Sequence, residues 1–404
     1  MKSIVCIILV YFTSHIFVPQ VSAAERFFEV QAIDTMKTSR DRARAGASNE
    51  TIDKQVQAIA ETGATHVAIG TPYDAEFIPY MKRWVESARK HKLKVWFRGN
   101  MAGWEGWFEY PKITRDEHKT EIRKFILANP DLFEDGDVFV SCPECENGGP
   151  GDPRQTGDTE GFRKFIREEY NLTYRAFQRI NKNVIINYYS MNGDVARLIM
   201  DKTMTSKIGG IVTIDHYVET PEELLKDVDM YAAQSGGKVV LGEWGAPIPD
   251  IHGEMSEVEQ AAWLEDSLSK IILNKNLVAL NYWTFTDSST QLWTAQGEPK
   301  QGVAVLKRYF KPVVVHGMVT DEKGRAIDSA TVESTSRVVT TEKGSFTIPL
   351  AGTDTLKVSK SGYSTQEQFI QTDGDNAIDT TIVLVRGNVH WWERLLDLIR
   401  SHLP

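Results

Sequence analysis

Cysteine is nearly missing from this chain, with three residues in 404. Cys6 lies in an N-terminal stretch that reads as a leader, which leaves Cys142 and Cys145 as a single C-x-x-C. One pair cannot supply the four ligands of a structural zinc site, and no second pair stands nearby. A redox role needs the motif at the opening of a helix. Here it follows an apolar run and leads into Glu-Asn-Gly-Gly-Pro-Gly. The pair therefore reads as a local crosslink or as two free thiols. Also missing is any basic run: 46 Lys and Arg stand against 55 Asp and Glu, for a net charge of −9. That balance argues against nucleic acid as a partner. No G-x-G-x-x-G follows the first apolar run, which disfavours an open dinucleotide-binding sheet. The nine histidines do not cluster with aspartates at the positions a metal-dependent hydrolase uses. No cofactor and no metal are expected.

What is present is a folded chain, 41% hydrophobic and 25% charged, long enough for one barrel-sized domain of ~250 residues and a smaller module. Residues 1–23 read as a signal peptide: Lys2 as the positive region, Ile4 to Phe12 as the apolar region, Val21-Ser22-Ala23 as the cleavage site. A retained anchor is the other reading, given the second apolar stretch Ile16 to Val18. Cleavage would place the protein outside the cytoplasm, secreted, periplasmic or on the cell surface.

From 24 to 312 eight short apolar runs alternate with amphipathic segments. They are FFEVQAIDTM (27–36), HVAIGTPY (66–73), KVWFRGNM (94–101), VFVSCPE (138–144), VIINYYSM (184–191), GIVTIDHY (210–217), VVLGEWG (239–245) and ALNYWTF (279–285). The segments between them carry helix spacing and helix ends; Thr220-Pro221-Glu222-Glu223 is an N-cap, a first-turn proline and acidic residues in order. Buried strands alternating with helices pair in parallel, and eight of them close into a (β/α)8 barrel.

In such a barrel, reactive groups project from the C-terminal strand ends. The fourth and seventh runs end on Glu144 and Glu243, positions that packing explains poorly; a salt bridge across the mouth is the bland alternative. Period-two counting from Glu243 predicts Leu241 and Val239 pointing inward below it, and Cys142 and Val140 below Glu144. Arg98 on strand three, and His216 or Tyr217 on strand six, are candidates to hold Glu243. Asp34, Asn187 and Tyr188 are candidates for polar ligand contacts. Tyr73, Trp104, Trp107, Tyr110, Trp244, Trp283 and Trp293 crowd the predicted mouth, where rings could stack on the apolar faces of sugars.

With Glu144, Glu243 and Trp283 in these places, the barrel resembles the cellulase- and mannanase-type clan of retaining glycoside hydrolases (clan A). The resemblance implies that Glu144 is the acid/base, Glu243 the nucleophile and Trp283 the sugar platform. It implies an exported hydrolase cleaving β-glycosidic bonds of a poly- or oligosaccharide by double displacement. One departure is Pro143, where the family has asparagine, with Asn147 following Glu146 instead. This makes Glu146 a rival acid/base. The competing reading is a carbohydrate-binding or surface adhesion protein that keeps the barrel without turnover.

Beyond Lys311-Pro312 the texture changes to short β-rich runs. Gly317-x-Val319-x-Asp321-x-x-Gly324, Ala330-Thr331-Val332, Gly344-x-Phe346 and Ser361-Gly362-Tyr363 make residues 313–386 similar to the carboxypeptidase-regulatory-like, transthyretin-type β-sandwich. Residues 387–404 read as an amphipathic helix, with Trp391, Trp392, Leu395 and Ile399 on one arc and Glu393, Arg394 and Asp397 opposite. It is too short and charged to span a bilayer. It could dock on the protein, or meet a membrane surface or protein partner.

Overall fold

A computed structural model of the chain describes residues 25–372 and 376–387. The predicted leader and the C-terminal helix over 388–404 lie outside the described residues. Among those described, no helix is long and apolar enough to cross a membrane.

The first part is a (β/α)8 barrel. Its strands are β1 (Val30–Asp34), β2 (His66–Ile69), β3 (Lys94–Phe97), β4 (Val138–Phe139), β5 (Ser190–Asn192), β6 (Ile211–Asp215), β7 (Lys238–Trp244) and β8 (Leu277–Tyr282). All pair in parallel in the order β4-β3-β2-β1-β8-β7-β6-β5. The ring closes through Val138 and Ile185: the Phe139 amide donates to the Ile185 carbonyl at 2.8 Å, and the Ile185 amide to Asp137 at 2.8 Å. The fifth run is thus divided, its lower half bridging β4 and its upper half pairing with β6.

Helices form where the sequence places caps. Thr220 Oγ1 accepts from the Glu223 amide ahead of helix Pro221–Ser235, and Ser256 and Glu259 form a reciprocal capping box ahead of helix Glu257–Ile271. One apolar cluster fills the space between strands and helices. A second fills the barrel's interior with Val30, Ala32, Trp96, Tyr188, Val240 and Ala279. Trp96 is fully buried and meets the Tyr188 ring at 5.4 Å, so this interior is a packed core.

Two inward-facing expectations are corrected. Val239 and Leu241 lie in the outer cluster, and Val240 faces the interior. The cause is a β-bulge. Leu241 pairs with Leu280 and Trp244 with Tyr282, so Gly242 and Glu243 together oppose Asn281. The extra residue resets the alternation above Leu241. Only glycine fits there: a Cβ on Gly242 would sit 2.3 Å from Asp215 Oδ1 and 2.8 Å from Ser190 Cβ. Cys142 likewise does not share the inward face of Val140 but packs in the outer cluster. After the Val140 amide bonds Phe97 at 3.0 Å, the chain leaves the sheet.

The second part is a small sandwich of β9 (Val313–Asp321), β10 (Thr331–Glu333), β11 (Val338–Thr340), β12 (Ser345–Leu350), β13 (Asp354–Ser359), β14 (Gln366–Ile370) and β15 (Ile378–Leu384). Its sheets run β11-β10-β13-β14 and β12-β9-β15, with β15 parallel to β9. Gly317 is bare because the Phe346 ring lies across it. The sandwich meets the N-terminal end of the barrel. Arg337 donates to the Arg26 carbonyl at 3.1 Å and lies over the Phe27 ring at 5.6 Å, both just ahead of β1.

Candidate active site

The strand ends converge on one guanidinium. Arg98 follows β3, stays in register through its amide bond to Ile69 at 2.8 Å, and is fully buried. Its Nη1 donates to Asp34 Oδ2 at 2.8 Å and to Glu243 Oε1 at 2.9 Å. Its Nη2 donates to Asp215 Oδ2 at 3.1 Å and Ser190 Oγ at 3.3 Å. Asp34 closes β1, Asp215 closes β6, and Glu243 stands on the β7 bulge. Asn281 of β8 braces the arrangement, donating to Asp34 Oδ2 at 3.1 Å and to the Gly242 carbonyl at 2.9 Å. Tyr217 donates its hydroxyl to Glu243 Oε2 at 2.9 Å. Glu243 therefore takes donors on both oxygens.

Glu144 arrives differently. It stands five residues past β4, in left-handed backbone (φ 43°, ψ 49°), between Cys142 and Cys145. These two form a disulfide with Cα atoms 5.3 Å apart. The Glu144 amide bonds the Ser190 carbonyl at 2.8 Å. Trp104 supports the loop from below, donating Nε1 to the Cys145 carbonyl at 3.0 Å while its own carbonyl accepts from the Gly149 amide at 2.8 Å. One oxygen each of Glu144, Asp215 and Glu243 lie within 4.8 Å of one another. That spacing could also hold a cation, but Arg98 already donates to two of the three.

One cation facing four carboxyl groups cannot keep all four ionised. Burial, then repulsion from Glu243 and Glu146, pushes Glu144 up to about 8, with Arg98 opposing. Burial pushes Asp215 well above the usual carboxylate range, again against Arg98. Burial alone would lower Arg98; the charges of Asp215, Glu243 and Asp34 outweigh it and hold the guanidinium protonated. Burial, then the charge of Glu243, keeps the Tyr217 hydroxyl protonated. At the rim, burial raises Glu105 to about 7, and its Oε1 accepts from Asn100 Nδ2 at 2.9 Å.

Of the expected residues, Arg98, Tyr217, Glu144 and Glu243 meet in the mouth, and Trp283 lies half-buried beside Tyr217, ring centroids 6.2 Å apart. Lys37 stands over the Trp283 ring at 5.6 Å. Glu146, the rival to Glu144, lies outside the carboxyl cluster. Its Oε1 accepts from the Asn192 amide at 2.5 Å, and burial raises it to about 7.

Several expectations are corrected. His216 turns away from Glu243 and pairs through Nε2 with Asp227 at 2.7 Å. Asn187 sits toward the other end of the barrel, donating to Gly209 at 2.9 Å. Asp34 is fully buried against Arg98 and is no surface contact. Trp104 stacks on Phe165 at 5.0 Å and Trp244 on Trp263 at 6.1 Å, both buried as packing. Tyr73 and Trp293 are also buried, and Tyr188 belongs to the interior layer. Trp107 and Tyr110 stay half-buried near the rim. Asp215, Glu105 and Asn281 were not anticipated. For Asp215 a signal existed: it shares parity on β6 with inward-facing Thr213, which touches the Gly242 position, and His216 does not.

Residues 314–385 match the carboxypeptidase regulatory-like domain, and the sandwich is a domain of that kind. No curated protein sequence matches the chain. Among solved structures it is similar to a GH5_18 protein from Bifidobacterium longum subsp. longum in complex with Manb1-4GlcNAc. The TM-score is 0.54 at 15% identity, over 74% of this chain and 84% of that one. It is similar to β-glucuronidase 2 of Bacteroides uniformis, covalently bound to cyclophellitol-6-carboxylate aziridine (TM-score 0.51, 12% identity, 88% of this chain and 46% of that one). An FMN-binding β-glucuronidase from Facaelibacterium prausnitzii gives 0.50 at 13% identity, over 86% and 56%. The chain thus spans about half the length of the two glucuronidases. At these identities the likeness is one of fold.

Proposed function

We propose that the chain is an exported retaining glycoside hydrolase that cleaves β-glycosidic bonds in a poly- or oligosaccharide. The observation that carries this reading is a close pair of unequal carboxyls at the barrel mouth. Glu144 and Glu243 have oxygens within 4.8 Å, on the scale of the ~5–5.5 Å that double displacement uses and short of the wider gap inversion needs. Glu243, whose two oxygens accept from Arg98 and Tyr217, attacks the anomeric carbon. Glu144, which keeps a proton up to about 8, gives it to the leaving oxygen. As that proton leaves, Glu144 becomes the base that draws a proton from water, and the hydroxide released from that water displaces Glu243. Trp283 offers an apolar face to the sugar at this subsite. The solved structures of like fold are named for glycosidases of β-configured sugars or hold a β-linked disaccharide, which supports the same class of substrate. The apolar leader at 1–23 supports export.

A cyclophellitol-type aziridine serves as the test. Incubation followed by peptide mass spectrometry is expected to find the label on Glu243, and Glu243→Gln and Glu144→Gln are each expected to abolish hydrolysis while folding normally. Full activity in either variant, or an inverted product by NMR, would refute the assignment. Glycan binding across a broad panel with no turnover would favour the binding-protein reading instead.

A further inference from the structure

The cysteine pair around Glu144 is unused by the chemistry above, and its placement is informative. Cys142, Pro143, Glu144 and Cys145 form a four-residue ring closed by the disulfide, both sulfurs being buried. Within the ring Glu144 holds φ 43°, a conformation an L-residue keeps only when its surroundings over-determine it. Apart from the ring, two backbone bonds hold Glu144, its amide to the Ser190 carbonyl and its carbonyl from the Asn147 amide, both at 2.8 Å. The feet of the ring are what the protein anchors. Asn100 Nδ2 lies 3.7 Å from Cys142 Sγ, and Trp104 bonds the Cys145 carbonyl. A crosslink over so short a loop removes little entropy from the unfolded chain. It joins no distant segments, so its effect is local to the residue it encloses.

Resting on the glycosidase reading, we propose that the Cys142–Cys145 disulfide is the positioning device of the acid/base, holding the Glu144 carboxyl in the cluster with Glu243 and Asp215. Released from the ring, Glu144 relaxes toward negative φ and its carboxyl swings toward water. The groups facing it are Glu243, Glu146 and Glu105, which favour its protonated form, Arg98, which opposes it, and Asp215, whose oxygen lies within 4.8 Å. Movement outward weakens all of them together.

The test is the double variant Cys142→Ala/Cys145→Ala, assayed on two β-glycosides of one sugar. One has a poor alkyl leaving group that needs a proton, the other a dinitrophenolate that does not. General-acid assistance contributes 10²–10⁴-fold, so kcat/KM on the alkyl glycoside is expected to fall about tenfold or more, and on the dinitrophenyl glycoside less than about threefold. A second readout needs no turnover: ¹³C NMR of the glutamate carboxyls, with Glu144 assigned by its loss in Glu144→Gln. Its midpoint, about 8 in the parent, is expected to drop by about one pH unit or more in the double variant as the carboxyl regains water. Equal losses on both substrates, no loss on either, or an unmoved Glu144 midpoint would overturn the proposal while the glycosidase reading stands. If the parent hydrolyses neither glycoside, that reading fails and the carboxyl titration alone decides the role of the disulfide.

Discussion

Replacing Arg98 by methionine tests the electrostatic core of the mouth. Methionine keeps most of the length and the apolar stem, so the change removes a charge and its donors with a small loss of volume. It strands Asp34, Asp215 and Glu243, which share that guanidinium at 2.8, 3.1 and 2.9 Å. Breaking a buried ion pair by removing one partner costs about 3–5 kcal/mol, and here three carboxyl groups lose the same partner. For a barrel of this size that corresponds to a fall in Tm of roughly 5–8 °C. The sign with pH follows from linkage. Burial already raises Asp215 against the opposing charge of Arg98, and without the guanidinium the native state binds that proton still more tightly than the unfolded chain does. Its contribution is then intact below the ordinary carboxylate range near ~4 and is lost as pH rises through the raised native value. Urea unfolding of parent and Arg98→Met at pH 4.5 and 7.5 is expected to give the larger difference at 7.5. An equal difference at both, or a larger one at 4.5, would show that Arg98 does not compensate these carboxyls.

Three further outcomes follow from the same geometry. On a glycoside that needs acid assistance, kcat/KM should fall as pH rises through about 8, where Glu144 loses its proton; a profile still rising at pH 9 would contradict this. Tyr217→Phe removes one of the donors to Glu243 and should lower kcat/KM by about 10–100-fold, as loss of a hydrogen bond to a charged group does; undiminished turnover would sink it. Gly242→Ala sets a methyl 2.3 Å from Asp215 Oδ1 and 2.9 Å from Thr213 Cγ2, and overpacking of that kind should cost about 1–3 kcal/mol. An unshifted urea midpoint would mean the bulge absorbs it.

The barrel was legible because its signal is periodic and repeated: eight apolar runs separated by capped helices admit few architectures. Glu144 and Glu243 were legible because a carboxyl beyond a buried run has few packing explanations, and Arg98 because it directly follows the apolar Val95-Trp96-Phe97. Period-two counting failed at β7, where the bulge depends on how Gly242 and Glu243 face Asn281 on a neighbouring strand, a relation no local pattern carries. It would have succeeded at β6, where it puts Asp215 inside and His216 outside. The tryptophans misled for another reason. An aromatic near a strand end suits a sugar face or a packed layer equally well, and only the three-dimensional neighbours, Phe165 for Trp104 and Trp263 for Trp244, decide which. The C-x-x-C spacing allowed a crosslink without requiring one.

The docking of the sandwich sets the direction in which the molecule faces. Arg337 joins it to the carbonyls ahead of β1, at the pole opposite the carboxyl cluster. β15 runs parallel to β9 and pairs Leu384 with Asp321, so the described chain ends at the sandwich's far tip, roughly 30 Å of strand beyond the barrel. The barrel floor and the body of the sandwich thus lie between the mouth and that tip. A partner bound at that far tip would leave the carboxyl cluster uncovered, with the whole barrel standing between the two.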